Sequence, residues 1–191
     1  MSFLENTAFL PRKWNNRNND LQNITGRFGS VSGSTFTPAD CSSGFLCTVV
    51  GAFAPNVAKL VTASSGANEI YACNPSDVNR VAQGENLWAV GSNDLGLGLA
   101  ANVSGTFTKL IPGETYSFGA GNYSAAPTSE KPYALISSGR LVASEDPPTA
   151  ASTIYFKRDE MMNEDTFTQG NTGVFSRYNL VCLKTPDYIE E

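Results

Sequence analysis

The sequence predicts an all-β fold: a single β-sandwich or barrel of antiparallel strands, with an extended N-terminal arm and few short helices. Charged residues make up only 16% of the 191 residues, against roughly 25% in typical soluble domains, so Ser, Thr, Asn and Gly must build much of the polar surface. Short strand-like runs recur along the chain and are separated by turns that contain Gly or Pro. Segments with helical periodicity are few.

Composition divides the chain into an extended N-terminal arm, residues 1–40, and a β-sandwich or barrel domain, residues 41–191. The arm carries isolated large apolar residues among Asn, Arg and Gly, and shows neither a two-residue nor a 3.6-residue period. Five Asn between Asn15 and Asn23 suit neither helix nor strand interiors. Spaced apolar groups on such a segment predict docking on a neighbouring molecule or across the body of the same chain.

The β domain is predicted from apolar runs and turn signals taken in chain order. The predicted single strands are 44–53, 68–75, 85–93, 152–158 and 176–185. Two hairpins are predicted: 105–121, turning at Pro112-Gly113, and 131–144, turning at Ser138-Gly139. Both faces of the last strand carry apolar groups, which indicates a central or sandwich position. Short helices are predicted at 75–82 and 158–165.

Gly96, Gly98 and Ala101 have the G-x-G-x-x-A spacing of a dinucleotide-binding loop. Such a loop needs a helix directly after it, because the helix N-terminus binds the pyrophosphate. Here the following residues are poor helix formers, and Gly105 opens the next β segment within four residues. We therefore predict a tight connection where two backbones approach closely, and no cofactor.

Enzyme chemistry is restricted by the absence of histidine, which removes Ser-His-Asp triads, Cys-His dyads and His-ligated metals. The four cysteines form no C-x-x-C pair, and the apolar runs around three of them favour buried free thiols over disulfides. The acidic run at 158–165 matches no calcium loop and is typical of a solvated face. We predict no catalytic and no metal-binding residue. A carboxylate-based hydrolase is a minor alternative.

Net charge and hydropathy restrict the partners. The chain carries a net charge of −5, which disfavours binding to the phosphates of a nucleic acid. No window approaches the roughly 20 apolar residues of a membrane span, and the first residues lack the apolar region of a signal peptide. We expect neither nucleic acid nor membrane as a partner.

The whole chain resembles the small structural proteins of tailed-bacteriophage virions. The resemblance lies in the start MSFLENTAFLPRKWNN with its Asn-rich arm, in the β-body typified by GTFTKLIPGETYSFGAGNYS, and in the lack of a catalytic signature. Within this group it is most similar to head decoration, or auxiliary capsid, proteins. Those are β-rich modules that bind and stiffen the outer capsid lattice, often as dimers or trimers, and use an N-terminal arm for contacts.

The resemblance implies a non-enzymatic virion protein that forms a homo-oligomer and binds the major capsid protein or another virion protein. It implies that the arm supplies the partner-binding side chains, which are Phe9, Leu10, Arg12, Trp14 and Arg17. Deletion of residues 2–30 is then expected to abolish assembly and leave a folded core.

The alternative is a carbohydrate- or receptor-binding β-sandwich module of a phage fibre or tail. One or two exposed tyrosines would bind the sugar, although core packing accounts for most of the aromatic residues of the body. The aromatic residues considered are Tyr116, Phe118, Tyr123, Tyr133, Tyr155, Phe156 and Tyr178.

Overall fold

A computed structural model describes residues 9–11, 23–74, 98–159, 164–168 and 174–186, with backbone alone at 10–11, 164–168 and 174–177. These residues contain sixteen strands. Those of the first half are β1 (Phe9–Pro11), β2 (Asn23–Ser32), β3 (Thr35–Pro38), β4 (Cys41–Ser42), β5 (Leu46–Ala54), β6 (Val57–Thr62), β7 (Tyr71–Cys73) and β8 (Gly98–Leu99). Those of the second half are β9 (Gly105–Lys109), β10 (Thr115–Gly119), β11 (Tyr123–Ala125), β12 (Tyr133–Ser137), β13 (Arg140–Ser144), β14 (Ile154–Arg158), β15 (Glu164–Thr168) and β16 (Val174–Lys184).

The all-β prediction is confirmed, and the only helical element of the described residues is a 3₁₀ turn at Ala120–Asn122. The predicted helix at 158–165 is wrong at both ends, because Arg158 closes β14 and Glu164 opens β15. Pairing of β15 with β16 outweighs the local preference of this acidic segment. The predicted helix at 75–82 and strand at 85–93 lie outside the described residues. Within those residues, no helix is both long and apolar enough to cross a membrane.

Five strands close into a small barrel in the order β2-β6-β5-β7-β9, with β9 pairing back onto β2. The β2–β6 pair is parallel and the other four pairs are antiparallel. Side chains alternate between the two faces of each strand, as the period of two requires. Cys47, Tyr71, Cys73 and Phe107 belong to one buried cluster with Leu60, whereas Leu46 and Ala72 belong to another.

The second sheet has the order β1-β10-β16-β14-β12-β13-β11, with β15 also paired to β16, and curls into a half-barrel. The predicted central position of the last strand is confirmed, because β16 pairs with β10, β14 and β15. A main core fills the space between this sheet and the barrel. Its largest fully buried side chains include Phe118 and Phe156 from the sheet and Leu46 from the barrel.

The structure differs from the predicted arm, because residues 23–38 belong to the β body. Strand β2 pairs with β6 and β9 inside the barrel, and β3 continues it as a hairpin. Gly26 shows why the composition was misleading: a Cβ there would lie 3.1 Å from the Ala58 carbonyl oxygen and would collide with the Leu60 side chain. Glycine marks a close approach of two strands here, and residues 23–38 are part of the body.

One predicted hairpin is confirmed and the other is corrected. Strands β12 and β13 pair across a two-residue turn in which Ser138 and Gly139 have φ values of +48° and +74°. The Pro112-Gly113 turn also forms, with φ +93° at Gly113. Its flanking strands do not pair with each other, however, because β9 joins the barrel and β10 joins the curled sheet. The turn therefore connects the two sheets.

Candidate docking site

The N-terminal strand β1 lies at one end of the curled sheet, where β10 is its only partner among the described strands. Its register places Phe9 opposite Phe118, Leu10 opposite Ser117 and Pro11 opposite Tyr116. The Phe9 side chain is only 5% exposed and belongs to the main core. This strand is therefore held by a three-residue ladder and by one deeply inserted aromatic ring.

Two aromatic rings of β10 form the slot for Phe9. The Phe9 ring stacks on Tyr116 at a centroid distance of 5.8 Å and packs against Phe118 at 5.3 Å with a tilt of 53°. Phe118 in turn meets Phe156 edge-on at 5.5 Å. Such offset and edge arrangements are the favourable geometries for aromatic pairs. The inserted ring thus continues an aromatic row that runs into the centre of the core.

Tyr116 fixes one wall of this slot. Its hydroxyl accepts a hydrogen bond from the Ile111 amide at 3.0 Å and donates to the Lys109 carbonyl at 3.4 Å. The Tyr116 hydroxyl is protonated at neutral pH and can donate, and burial raises its pKa further. The same turn is anchored to β16, since the Gly113 amide donates to the Cys182 carbonyl at 2.8 Å. The slot is therefore built on a connection between the two sheets.

The structure brings together two of the five predicted partner-binding residues. Phe9 lies in the core of its own chain, and Leu10 follows it on β1. Phe9 is consequently not exposed to a partner in this arrangement, because the arm docks across the body of the same chain. Arg12, Trp14 and Arg17 lie outside the described residues.

The glycine connection predicted at 96–105 is closely packed at the two glycines that are described, against backbone at Gly98 and against the Leu99 side chain at Gly105. Gly98 lies on β8, paired with β4, and a Cβ there would lie 2.6 Å from the Cys41 carbonyl carbon and 2.7 Å from Ser42 Cα. At Gly105 a Cβ would lie 2.9 Å from Leu99 Cγ. Gly96 lies outside the described residues. A strand, and not a helix, follows at Gly105, so the arrangement needed for a pyrophosphate is missing.

The four cysteines are free and buried, as predicted. Three of them meet in the barrel, where the Cys41 and Cys47 sulfurs lie 3.9 Å apart and the Cys73 thiol donates to the Cys41 carbonyl at 3.7 Å. Burial raises the pKa of all four thiols, which disfavours the thiolate form. Among the described residues, no cluster of three or more Cys, Asp or Glu is suited to hold a metal ion.

Most of the aromatic residues considered for sugar binding are core residues. Tyr116, Phe118, Tyr123 and Phe156 are at most 5% exposed. Tyr133 and Tyr155 are half-buried, with ring centroids 6.1 Å apart, and belong to the neighbouring strands β12 and β14. Tyr178 is also half-buried and packs edge-on against Tyr123 at 5.2 Å. These three tyrosines are the part of the predicted aromatic set that is not fully buried.

Sequence reasoning missed an aromatic surface on the outside of the barrel. The β2–β3 and β5–β6 hairpins carry four of the five large apolar side chains that are exposed among the described residues, namely Val31, Val49, Val50 and Phe53. Phe36 of β3 meets Phe53 of β5 edge-on at 4.9 Å. The apolar run 44–53, which ends at Phe53, was the available signal, but such a run predicts a strand without showing which of its side chains are exposed.

Comparisons with family models, with curated proteins and with solved structures found no match to the chain. The function is therefore inferred from the geometry of the chain itself, above all from the inserted N-terminal strand and the aromatic surface of the barrel hairpins.

Proposed function

We propose that the chain is a non-enzymatic structural protein of a tailed-bacteriophage virion. It binds and stabilises the capsid, and its N-terminal segment docks on neighbouring subunits. The observation that carries this proposal is the insertion of Phe9 beside Tyr116 and Phe118 at the end of the curled sheet. Edge strands that accept an added strand are a common means of assembly, because main-chain hydrogen bonds supply affinity.

Exchange of this strand between copies is consistent with the way it is attached. The slot on β10 is identical in every copy, so β1 of a neighbour would make the same three-residue ladder and the same aromatic contacts. The contacts within each slot would not change on exchange. The ratio of exchanged to unexchanged chains would depend on the subunit concentration and on the connecting segment 12–22. A capsid lattice supplies that concentration by holding neighbours close together.

Substitution of the other three predicted partner-binding residues, Arg12, Trp14 and Arg17, tests capsid binding directly. Capsids of the major capsid protein from the same phage are sedimented with the wild-type chain and with the triple variant Arg12→Ala, Trp14→Ala, Arg17→Ala. We expect the wild type to sediment with the capsids and the triple variant to lose at least about tenfold in affinity, because Trp and Arg dominate such interfaces. Equal sedimentation of the two chains, or no binding by the wild type, would contradict the proposal.

The matched control is Thr149→Ala, at an exposed position in the segment between β13 and β14. It should bind capsids as the wild type does. Thermal unfolding of each variant separates a lost contact from a lost fold. Deletion of residues 2–30 is unsuitable for this test, since it would remove most of β2 and open the barrel.

A further inference from the structure

The exposed Phe53 and the half-buried Phe36 of the barrel hairpins are accompanied by two cations. The Arg27 guanidinium carbon lies 5.3 Å from the centroid of the Phe53 ring, and the Lys59 ammonium lies 4.9 Å from it. Phe36 packs edge-on against the same ring. We call these four residues, Arg27, Phe36, Phe53 and Lys59, the aromatic–cation surface.

The position of each member follows from the register. Arg27 of β2 and Lys59 of β6 are Cα partners in the parallel pair, so they share one face. That face is the outer one, because Phe28 and Leu60, the next residues along, are partners that pack in the barrel cluster. Cations and rings are thus presented together on the outside of the barrel.

A glycine makes room for the second ring. Phe36 lies across Gly29 of β2, where a Cβ would be only 2.6 Å from the Phe36 ring carbon Cζ. Phe53 itself is 42% exposed, and Val31 and Val50 of the same two hairpins are 48% and 50% exposed. An apolar area of this kind, flanked by charge, is typical of a binding surface.

The two cations have no acidic counterpart in the described part of the chain. The ion pairs found there are Lys109–Glu69 and Lys131–Glu145. Arg27 Nε donates to the Ser104 hydroxyl at 2.9 Å, a neutral acceptor. On a chain with a net charge of −5, this surface is a local positive site. A binding partner complementary to this surface is an acidic segment that also carries an aromatic or aliphatic side chain.

We infer that the aromatic–cation surface binds residues 187–191 of a second copy of this chain. Those residues, Asp-Tyr-Ile-Glu-Glu, combine three carboxylates with a tyrosine and an isoleucine. The carboxylates would pair with Arg27 and Lys59, and the apolar side chains would cover Phe36 and Phe53. This contact lies on the barrel, away from the β1 slot, and holds whether or not the chain binds a capsid.

Fluorescence anisotropy with a labelled peptide of residues 185–191 tests this contact on the full chain. The peptide should bind, and Lys59→Glu should weaken it about tenfold, because one attraction becomes a repulsion. The matched control Lys131→Glu reverses a charge that is 51% exposed in the segment before β12, and should leave binding unchanged. A peptide with all three acids changed to Lys should bind Lys59→Glu better than it binds the wild type.

Sedimentation velocity on the full chain distinguishes the possible occupants. The second-copy contact is supported if the full chain self-associates and if this association is lost both in Lys59→Glu and on removal of residues 187–191. The association should persist in Lys131→Glu. A monomeric full chain that binds the peptide only after its own residues 187–191 are removed would show occupation within one chain and would overturn the inference. Peptide binding that is absent, or equal in all variants, would also overturn it.

Discussion

Phe9→Ala should lower the free energy of unfolding by about 3 kcal/mol, a typical cost for removing a buried phenylalanine ring. The ring is 5% exposed and contacts both Tyr116 and Phe118, so its removal leaves a cavity beside the aromatic row of the core. Strand β1 would then lack its only described core side chain. Urea denaturation followed by far-UV circular dichroism measures the change.

Phe53→Ala is the control for this prediction, since it removes the same ring from a side chain that is 42% exposed. Its cost should stay below about 1 kcal/mol, in the range of surface substitutions and exposed aromatic contacts. Equal costs for the two variants would mean that β1 does not complete the core in solution. The comparison therefore separates the inserted strand from an ordinary surface aromatic.

Gly98→Ala should cost about 3 kcal/mol, at the upper end of overpacking effects. A Cβ at this position would meet backbone atoms of Cys41 and Ser42, and backbone cannot move aside as a flexible side chain can. The β4–β8 pair would have to separate, which would also disturb Leu99 in the barrel cluster. Thermal unfolding monitored by calorimetry gives the difference.

Gly66→Ala is the matched control for the glycine prediction. Gly66 has φ +83°, yet a Cβ there would find no atom within 4 Å. Its cost should be about 1 kcal/mol, from backbone strain alone. If Gly98→Ala were no more costly than Gly66→Ala, the close approach of β4 and β8 would not exist in solution.

Local signals in the sequence predicted local structure well. The Ser138-Gly139 turn lies where two successive residues adopt positive φ, and its flanking strands pair as expected. The Pro112-Gly113 turn was also placed correctly. Which sheet each flanking strand joins is decided by contacts distant in sequence, such as those of β10 with β16. The turn residues alone therefore could not predict which strands pair.

The bounds of the N-terminal arm also depend on contacts that are distant in sequence. Gly26 and Gly29 weaken the strand signal of β2, because glycine is a poor strand residue in isolation. Each is required by a neighbour that comes close, Leu60 at Gly26 and Phe36 at Gly29. The sequence shows where the glycines lie, but only the fold shows which neighbouring side chains require them.

The candidate surfaces could be predicted only in part. Phe9 was selected as an apolar residue of the arm, yet its slot depends on Tyr116 and Phe118, more than a hundred residues away. The aromatic–cation surface joins residues of two hairpins, and no spacing rule links Arg27 or Phe36 to Phe53. Residue type identified the candidates, and strand register brought them together.

Docking of the N-terminal strand on a neighbouring subunit is tested most directly by a disulfide trap. Leu10 and Ser117 are Cα partners across β1 and β10, where opposite residues of an antiparallel pair lie about 4.5–5.5 Å apart, close enough for a disulfide. A chain with Leu10→Cys is mixed with a differently tagged chain with Ser117→Cys and oxidised under native conditions. The double variant in one chain shows that the geometry permits the bond. We predict a covalent heterodimer on non-reducing gels. Heterodimers that never form, while the double variant closes its bond within one chain, would contradict exchange between subunits.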